Sequence, residues 1–330
     1  MLWSPSVKQL FRDCHKPACK EVLAMFYLFA PGFQALEDYK EKLMPKLTLF
    51  HGHEGIGGYG SPNLHPEHVA YVELKGGIFH PHVLVLRFEK FARVWIGSMN
   101  ITSEFFKTPR SESTYEAVYV QDFPLRCEGE FTPPNDSFGD DLLDLLQIVG
   151  NCGLAEESTS TKGYPLAKLH SISRSLLRYD LSSSARLVVG LKGDGTRSCN
   201  RPRQQMSKLT QEFRSRSDKL VISNGFITEK VKNPTFEEFL EEAAKNFNCN
   251  KVRIASANID ELAKMCKLKE KERGLTTNIL GGYHQRIHYK GKPECDSVEF
   301  VHGKSYVCLD KDGNEVWALV GGFNFSASGK

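Results

Sequence analysis

The chain has 330 residues, of which 40% are hydrophobic and 25% charged. That composition suits a large globular core or two packed units of about 150 residues each, and excludes a disordered or collagen-like chain. A formal net charge of +3 excludes a bulk-charge case for nucleic-acid binding, so any basic surface has to come from local clustering. The nine cysteines form no C-x-x-C pair, and the start Met1-Leu-Trp-Ser-Pro5 lacks the basic region and apolar run of a signal peptide. The longest apolar stretch, Val22 to Pro31, is too short to span a bilayer. The expectation is a soluble intracellular protein with reduced thiols.

Residues 21–29 read as a buried strand, short, aromatic-rich and closed by Pro31-Gly32. A helix is predicted over Phe33 to Leu43 and a strand over Lys46 to His51, followed by a Gly/Pro/His loop from Gly52 to His68. His82–Phe88 and Arg93–Ile96 are predicted to pair as a hairpin that runs into Gly97-Ser-Met-Asn100. Asp140 to Val149 predicts a short helix, Glu156 to Gly163 a polar linker, and Ala185 to Leu191 a strand. Arg197 to Lys219 is a basic run, read by default as a solvated loop or helix face. Thr235-Phe-Glu-Glu238 opens a helix with a capping box, its apolar residues Phe236, Phe239, Leu240, Ala243 and Phe247 lying at helical spacing. Lys251–Ala255, Ser305–Leu309 and Glu315–Val320 are predicted strands, and Ile259–Lys267 a helix.

The two ends of the chain repeat one pattern. His80-Pro-His82, an apolar strand, a charged turn, a second apolar strand and GSMN match His302-Gly-Lys304, a strand, the turn Asp310–Asn314, a strand and GGFN. The chemistry such a repeat can supply is metal-free phosphodiester cleavage. One imidazole attacks phosphorus, another protonates the leaving oxygen, and the covalent phosphohistidine is then hydrolysed. Cations and amide donors must match the charge on the phosphate oxygens. A histidine, a lysine two residues on along the strand and an asparagine on the neighbouring strand form that set.

These motifs resemble the H-x-K…N motifs of the tyrosyl-DNA phosphodiesterase family, a branch of the phospholipase D superfamily. That branch lacks the aspartate of the usual H-x-K-x(4)-D motif, and here the corresponding places hold Leu86-Arg87 and Leu309. LFHG at 49–52, the helix around Asp141–Ile148 and YDLSSSARLVVG at 179–190 are similar to family segments in the same order. The resemblance implies an α/β phospholipase D-like fold of two pseudo-twofold-related halves, 1–150 and 151–330, each a mixed β-sheet flanked by helices, with the site in the cleft between them. It implies a metal-independent hydrolase, without cofactor, acting on DNA 3′-phosphodiester adducts such as a phosphotyrosyl link. His80 is then the nucleophile and His302 the general acid/base, while Lys304, Asn100 and Asn324 hold the phosphate. His82 and Glu116 are placed on the substrate side, Glu116 as a group that could orient a histidine. DNA 3′ ends or protein–DNA adducts are the implied partners of a nuclear monomer.

Two departures stand out. His82 occupies the place of the first-half lysine, and a neutral imidazole lacks the permanent charge of an ammonium. Loss of a charge-assisted phosphate contact costs roughly 1.5–3 kcal/mol, with Arg87 or a protonated His82 as candidate compensation. The chain also ends at Lys330, soon after Asn324, where the family continues. A phospholipase D-like nuclease or lipase, and a degenerate nucleic-acid-binding member, are the alternative readings. His51-x-His53 and His65-x-x-His68 invite a metal reading, but their spacing fits no familiar zinc pattern. Gly55-Ile-Gly-Gly-Tyr-Gly60 is followed by Pro62 rather than by a helix, unlike a dinucleotide loop.

Overall fold

The structure, a computed structural model, describes residues 18–27, 29–30, 46–52, 68–74, 79–99, 101–102, 114–115, 118–127, 137–154, 163–190, 200–224, 245, 247–249, 251–256, 277–279, 300–301 and 304–322. The helices predicted over 33–43 and 259–267, and nearly all of that over 235–247, lie outside these residues. The fold is mixed α/β and divides into two compact units. The first is Met1–Ile96, Asn100–Phe106 and Val118–Arg201; the second is Gly97–Met99, Lys107–Ala117 and Pro202–Lys330. Residues 151–201 thus group with the first unit, where the sequence reading placed the division at 150.

In the first unit the strands are β1 (Cys19–Phe26), β2 (Phe29–Ala30), β3 (Leu47–Gly52), β4 (Val69–Glu73), β5 (His82–Phe88), β6 (Phe91–Gly97) and β7 (Ile101–Thr102). β8 (Thr114–Tyr115) belongs to the second unit, and β9 (Val118–Pro124) returns to the first. Two helices follow, α1 (Phe138–Gly150) and α2 (Gly163–Leu176), with β10 (Gly153–Leu154) between them. The seven-stranded sheet has the order β10-β4-β3-β1-β5-β6-β9. β1, β3 and β4 are parallel neighbours, β5 is antiparallel to β1, and β5 and β6 form the predicted hairpin. In β1 the run Leu23, Ala24, Met25 and Phe26 is fully buried, as expected of a central strand covered on both faces.

One face of that sheet packs on α1 and α2 through Leu23, Met25, Phe50, Val83, Val85, Val94, Leu142, Leu146 and Leu169. Ser137 caps α1 in a reciprocal box: its Oγ accepts from the Asp140 amide at 3.3 Å, and its own amide donates to Asp140 Oδ2 at 3.1 Å. The next residue, Asp141, accepts from Arg186 Nε at 2.8 Å and from the Leu187 amide at 2.9 Å. That contact explains a correction. Ala185–Leu191 was predicted as a strand, but its described residues run without regular structure, because the Leu187 N–H goes to a helix carboxylate rather than to a sheet ladder. The strand β4 and the helix α2 were not anticipated. β4 is a short segment behind a long Gly/Pro/His stretch, and α2 carries Pro165 in its first turn, where a missing N–H is tolerated.

The second unit holds α3 (Asn200–Gln211), β11 (Lys219–Asn224), β12 (Lys251–Ser256), β13 (Thr277–Ile279), β14 (Phe300–Val301), β15 (Lys304–Leu309) and β16 (Glu315–Val320). The basic run is therefore a helix that leads into a strand the sequence reading did not assign. That strand, β11, is central in the five-stranded order β13-β12-β11-β15-β16. β11, β12 and β13 are parallel, β15 is antiparallel to β11, and β15 and β16 form a hairpin. This order and these directions repeat β4-β3-β1-β5-β6 of the first sheet. Five of the nine cysteines lie among the described residues, all as free thiols. Cys249 and Cys308 approach to 3.3 Å between sulfurs, and the hydrogen bond from Cys249 lowers the Cys308 thiol pKa below its ordinary value. Among the described residues no helix is long and apolar enough to cross a membrane.

Candidate active site

The carboxyl ends of parallel strands are where open α/β sheets gather ligand-binding groups. In the first unit Phe26 on β1 pairs with His51 on β3, and His51 pairs with Tyr71 on β4. Across the other edge of β1, Phe26 pairs with His82, the first residue of β5. Residues in register share a face, so Tyr71, His51, Phe26 and His82 form one row at one end of the sheet. Their rings meet edge to face, His51–Tyr71 at 5.8 Å and Phe26–His82 at 6.1 Å. His51 and His82 are buried.

His80 precedes the strand and is half-buried. Its ring lies 4.6 Å from that of His82, nearly perpendicular to it, and 4.9 Å from Tyr27 on the other side. His82 Nε2 and His80 Nδ1 are 3.3 Å apart, within reach of a shared proton.

The backbone under His80 is braced from β3. His51 Nδ1 lies 2.7 Å from the Gly52 carbonyl, which can only accept, so Nδ1 carries the proton. Burial pushes the His51 pKa below its ordinary 6.5, against the smaller opposing effect of that hydrogen bond, and keeps the ring neutral at pH 7. Gly52 itself lies where a Cβ would stand 2.8 Å from the Phe79 carbonyl and 3.0 Å from the Tyr27 ring. Phe79 is the residue before His80, so the missing side chain at Gly52 lets two strand ends close on the His80 backbone. Gly52→Ala is expected to destabilise the protein by about 1–3 kcal/mol, as overpacking against backbone does, and to displace His80. Denaturant unfolding checks the first effect and the histidine NMR spectrum the second.

In the second unit Lys304 opens β15 opposite Asn224, the last residue of β11. That is the place His82 takes opposite Phe26. The hairpins agree as well: Val83 pairs with Ile96, one residue before Gly97, and Ser305 pairs with Val320, one residue before Gly321. The sheet registers therefore coincide with the sequence alignment of HPH…GSMN on HGK…GGFN. Lys304 is fully buried.

Asn100, Glu116, His302 and Asn324 lie outside the described residues. The short strands before two of them are described, and they pair in parallel, Tyr115 opposite Val301. Arg87 is committed elsewhere: its Nε donates to Glu21 at 2.5 Å, and it alternates to the other face of β5 from His82. It therefore does not share the face that carries His82, where compensation was expected of it. Of the histidines with metal-like spacing, His53 and His65 are outside the described residues, while His51 and His68 each face a backbone carbonyl, His68 Nδ1 that of Leu47 at 2.9 Å. Among the described residues no group of three or more metal-ligating side chains is present. Nothing in the sequence signals Tyr27 or Tyr71, while Gly52 lies within the LFHG segment at 49–52.

No protein-family model matches the chain, and no curated protein matches it. Among solved structures it is similar to a phosphatidylserine synthase of Haemophilus influenzae Rd KW20, with 13% identity, a TM-score of 0.48, and coverage of 93% of this chain and 75% of that one. It is also similar to a polyphosphate kinase of Porphyromonas gingivalis, with 10% identity, a TM-score of 0.38, and coverage of 92% of this chain and 41% of that one.

Proposed function

We propose that the chain is a phosphodiesterase of the phospholipase D superfamily that hydrolyses DNA 3′-end adducts without a metal, through a covalent phosphohistidine. The observation that carries the reading is the repeated register: two sheets of one topology each open the same hairpin strand with a motif residue, His82 in one and Lys304 in the other. A chance pair of histidine motifs has no reason to fall at the same rung of two sheets.

In this mechanism both motifs act on one phosphodiester. His80 Nε2 attacks phosphorus, and the bond to the leaving oxygen breaks as His302 gives that oxygen a proton. Water, deprotonated by His302, then attacks the phosphohistidine, returns His80 and leaves a 3′-phosphate. Lys304, Asn100 and Asn324 match the charge that builds on the phosphate oxygens. Glu116 is the group proposed to orient a histidine of the site. DNA, met by a nuclear monomer, is the substrate this reading expects, and the basic helix α3 is its candidate backbone contact.

The test is turnover of a 3′-phosphotyrosyl oligonucleotide in EDTA, beside plain oligonucleotide and phospholipid. Chelator-resistant release of tyrosine is expected. Activity confined to phospholipid or to plain nucleic acid would replace the DNA-adduct reading with a lipase or nuclease of the same chemistry. Salt-dependent DNA binding without turnover of any of them would leave a binding protein.

A further inference from the structure

We infer that His82 is a positioning residue for His80, and not a substitute for the phosphate-binding lysine whose place in the chain it takes. The inference rests on the phosphodiesterase reading. Its ground is the direction in which His82 presents its ring nitrogen. Nε2 faces His80 Nδ1 at 3.3 Å, with the two rings nearly perpendicular. The ring is buried and packs edge to face on Phe26, which limits its freedom to swing towards a substrate.

Two neutral imidazoles that meet nitrogen to nitrogen share one proton. If His80 donates from Nδ1, its Nε2 keeps a lone pair and is the nucleophile; if His82 donates instead, His80 carries its proton on Nε2 and cannot attack. The reaction selects the first arrangement. When Nε2 then bonds to phosphorus and the leaving oxygen departs, the phosphorylated ring becomes cationic, and the lone pair of His82 Nε2 accepts from its Nδ1–H. On release of phosphate the His80 ring returns to neutral with the same proton still on Nδ1. This is the duty of a third group in a catalytic triad, which fixes the tautomer and orientation of the working histidine. The brace of His51 and Gly52 under Phe79 fixes the backbone of the same residue, so ring and backbone are held separately.

Two substitutions separate the roles, because they carry opposite hydrogen-bonding character. Glutamine places a carbonyl oxygen near the position of Nε2 and can accept; lysine offers donors alone. His82→Gln is expected to keep turnover of the 3′-phosphotyrosyl oligonucleotide within about tenfold of wild type, whereas His82→Lys loses roughly a hundredfold in kcat, the scale of a mis-set acid–base group. A phosphate-clamp role predicts the reverse order, with lysine raising turnover and glutamine lowering it, and that order would overturn the inference. Nitrogen-15 spectra of labelled histidine read the tautomer without any substrate. The His80 proton is expected on Nδ1 in the wild type and in His82→Gln, and on Nε2 in His82→Lys. A wild type that turns over nothing, yet shows the Nδ1 proton and its loss in His82→Lys, would sink the phosphodiesterase reading and leave the positioning contact standing. A His80 tautomer indifferent to residue 82 would sink the positioning contact itself.

Discussion

His80→Ala is expected to lower kcat for the 3′-phosphotyrosyl oligonucleotide by on the order of a thousandfold or more, with little change in KM. A nucleophile whose removal closes the covalent route leaves only the residual rate that binding and charge stabilisation provide, which is the pattern of covalent enzymes stripped of their attacking group. The side chain is half-buried and its Nδ1 meets the buried His82 Nε2 at 3.3 Å, so its loss is also expected to cost about 1–3 kcal/mol of global stability. Steady-state kinetics beside a thermal melt check both halves of this expectation. A loss of activity no larger than the loss of folded protein accounts for would assign His80 to the fold.

Lys304→Met is expected to cost about a hundred- to a thousandfold in kcat/KM. The ammonium is fully buried at the first rung of β15, opposite the end of the central strand β11. On the mechanism proposed above, its loss shows as weaker stabilisation of the phosphoryl transition state. Turnover measured beside denaturant titration separates the cases, since kcat/KM unchanged for the folded protein while stability falls would make Lys304 a structural ion.

The hairpins and their motifs were legible because they are strictly local: apolar runs at His82–Phe88 and Glu315–Val320, closed by Gly-containing segments, define their own pairing. The repeat was legible for the same reason. What the sequence hid was long-range. β11 follows directly on a basic helix, and only its parallel partner β12 and antiparallel partner β15 mark it as central. Ala185–Leu191 carries strand composition, yet Asp141, more than forty residues earlier in the chain, takes the N–H that a ladder would need. At the candidate site the spacing of His80 and His82 was visible, but not that the two rings turn towards each other. Nor could spacing show that Gly52 meets the Phe79 carbonyl, because that contact joins the end of β3 to the approach to β5.

The most direct test of the two-motif chemistry is to trap the intermediate. The protein is mixed with 3′-phosphotyrosyl oligonucleotide in EDTA, quenched under alkaline conditions that preserve phosphohistidine, and mapped by mass spectrometry. An acid-labile DNA adduct on the peptide that carries His80, accumulating in His302→Ala and absent from His80→Ala, is the predicted result. Turnover that stops in EDTA, or that proceeds in the wild type and in His80→Ala alike with no adduct on either, would contradict it.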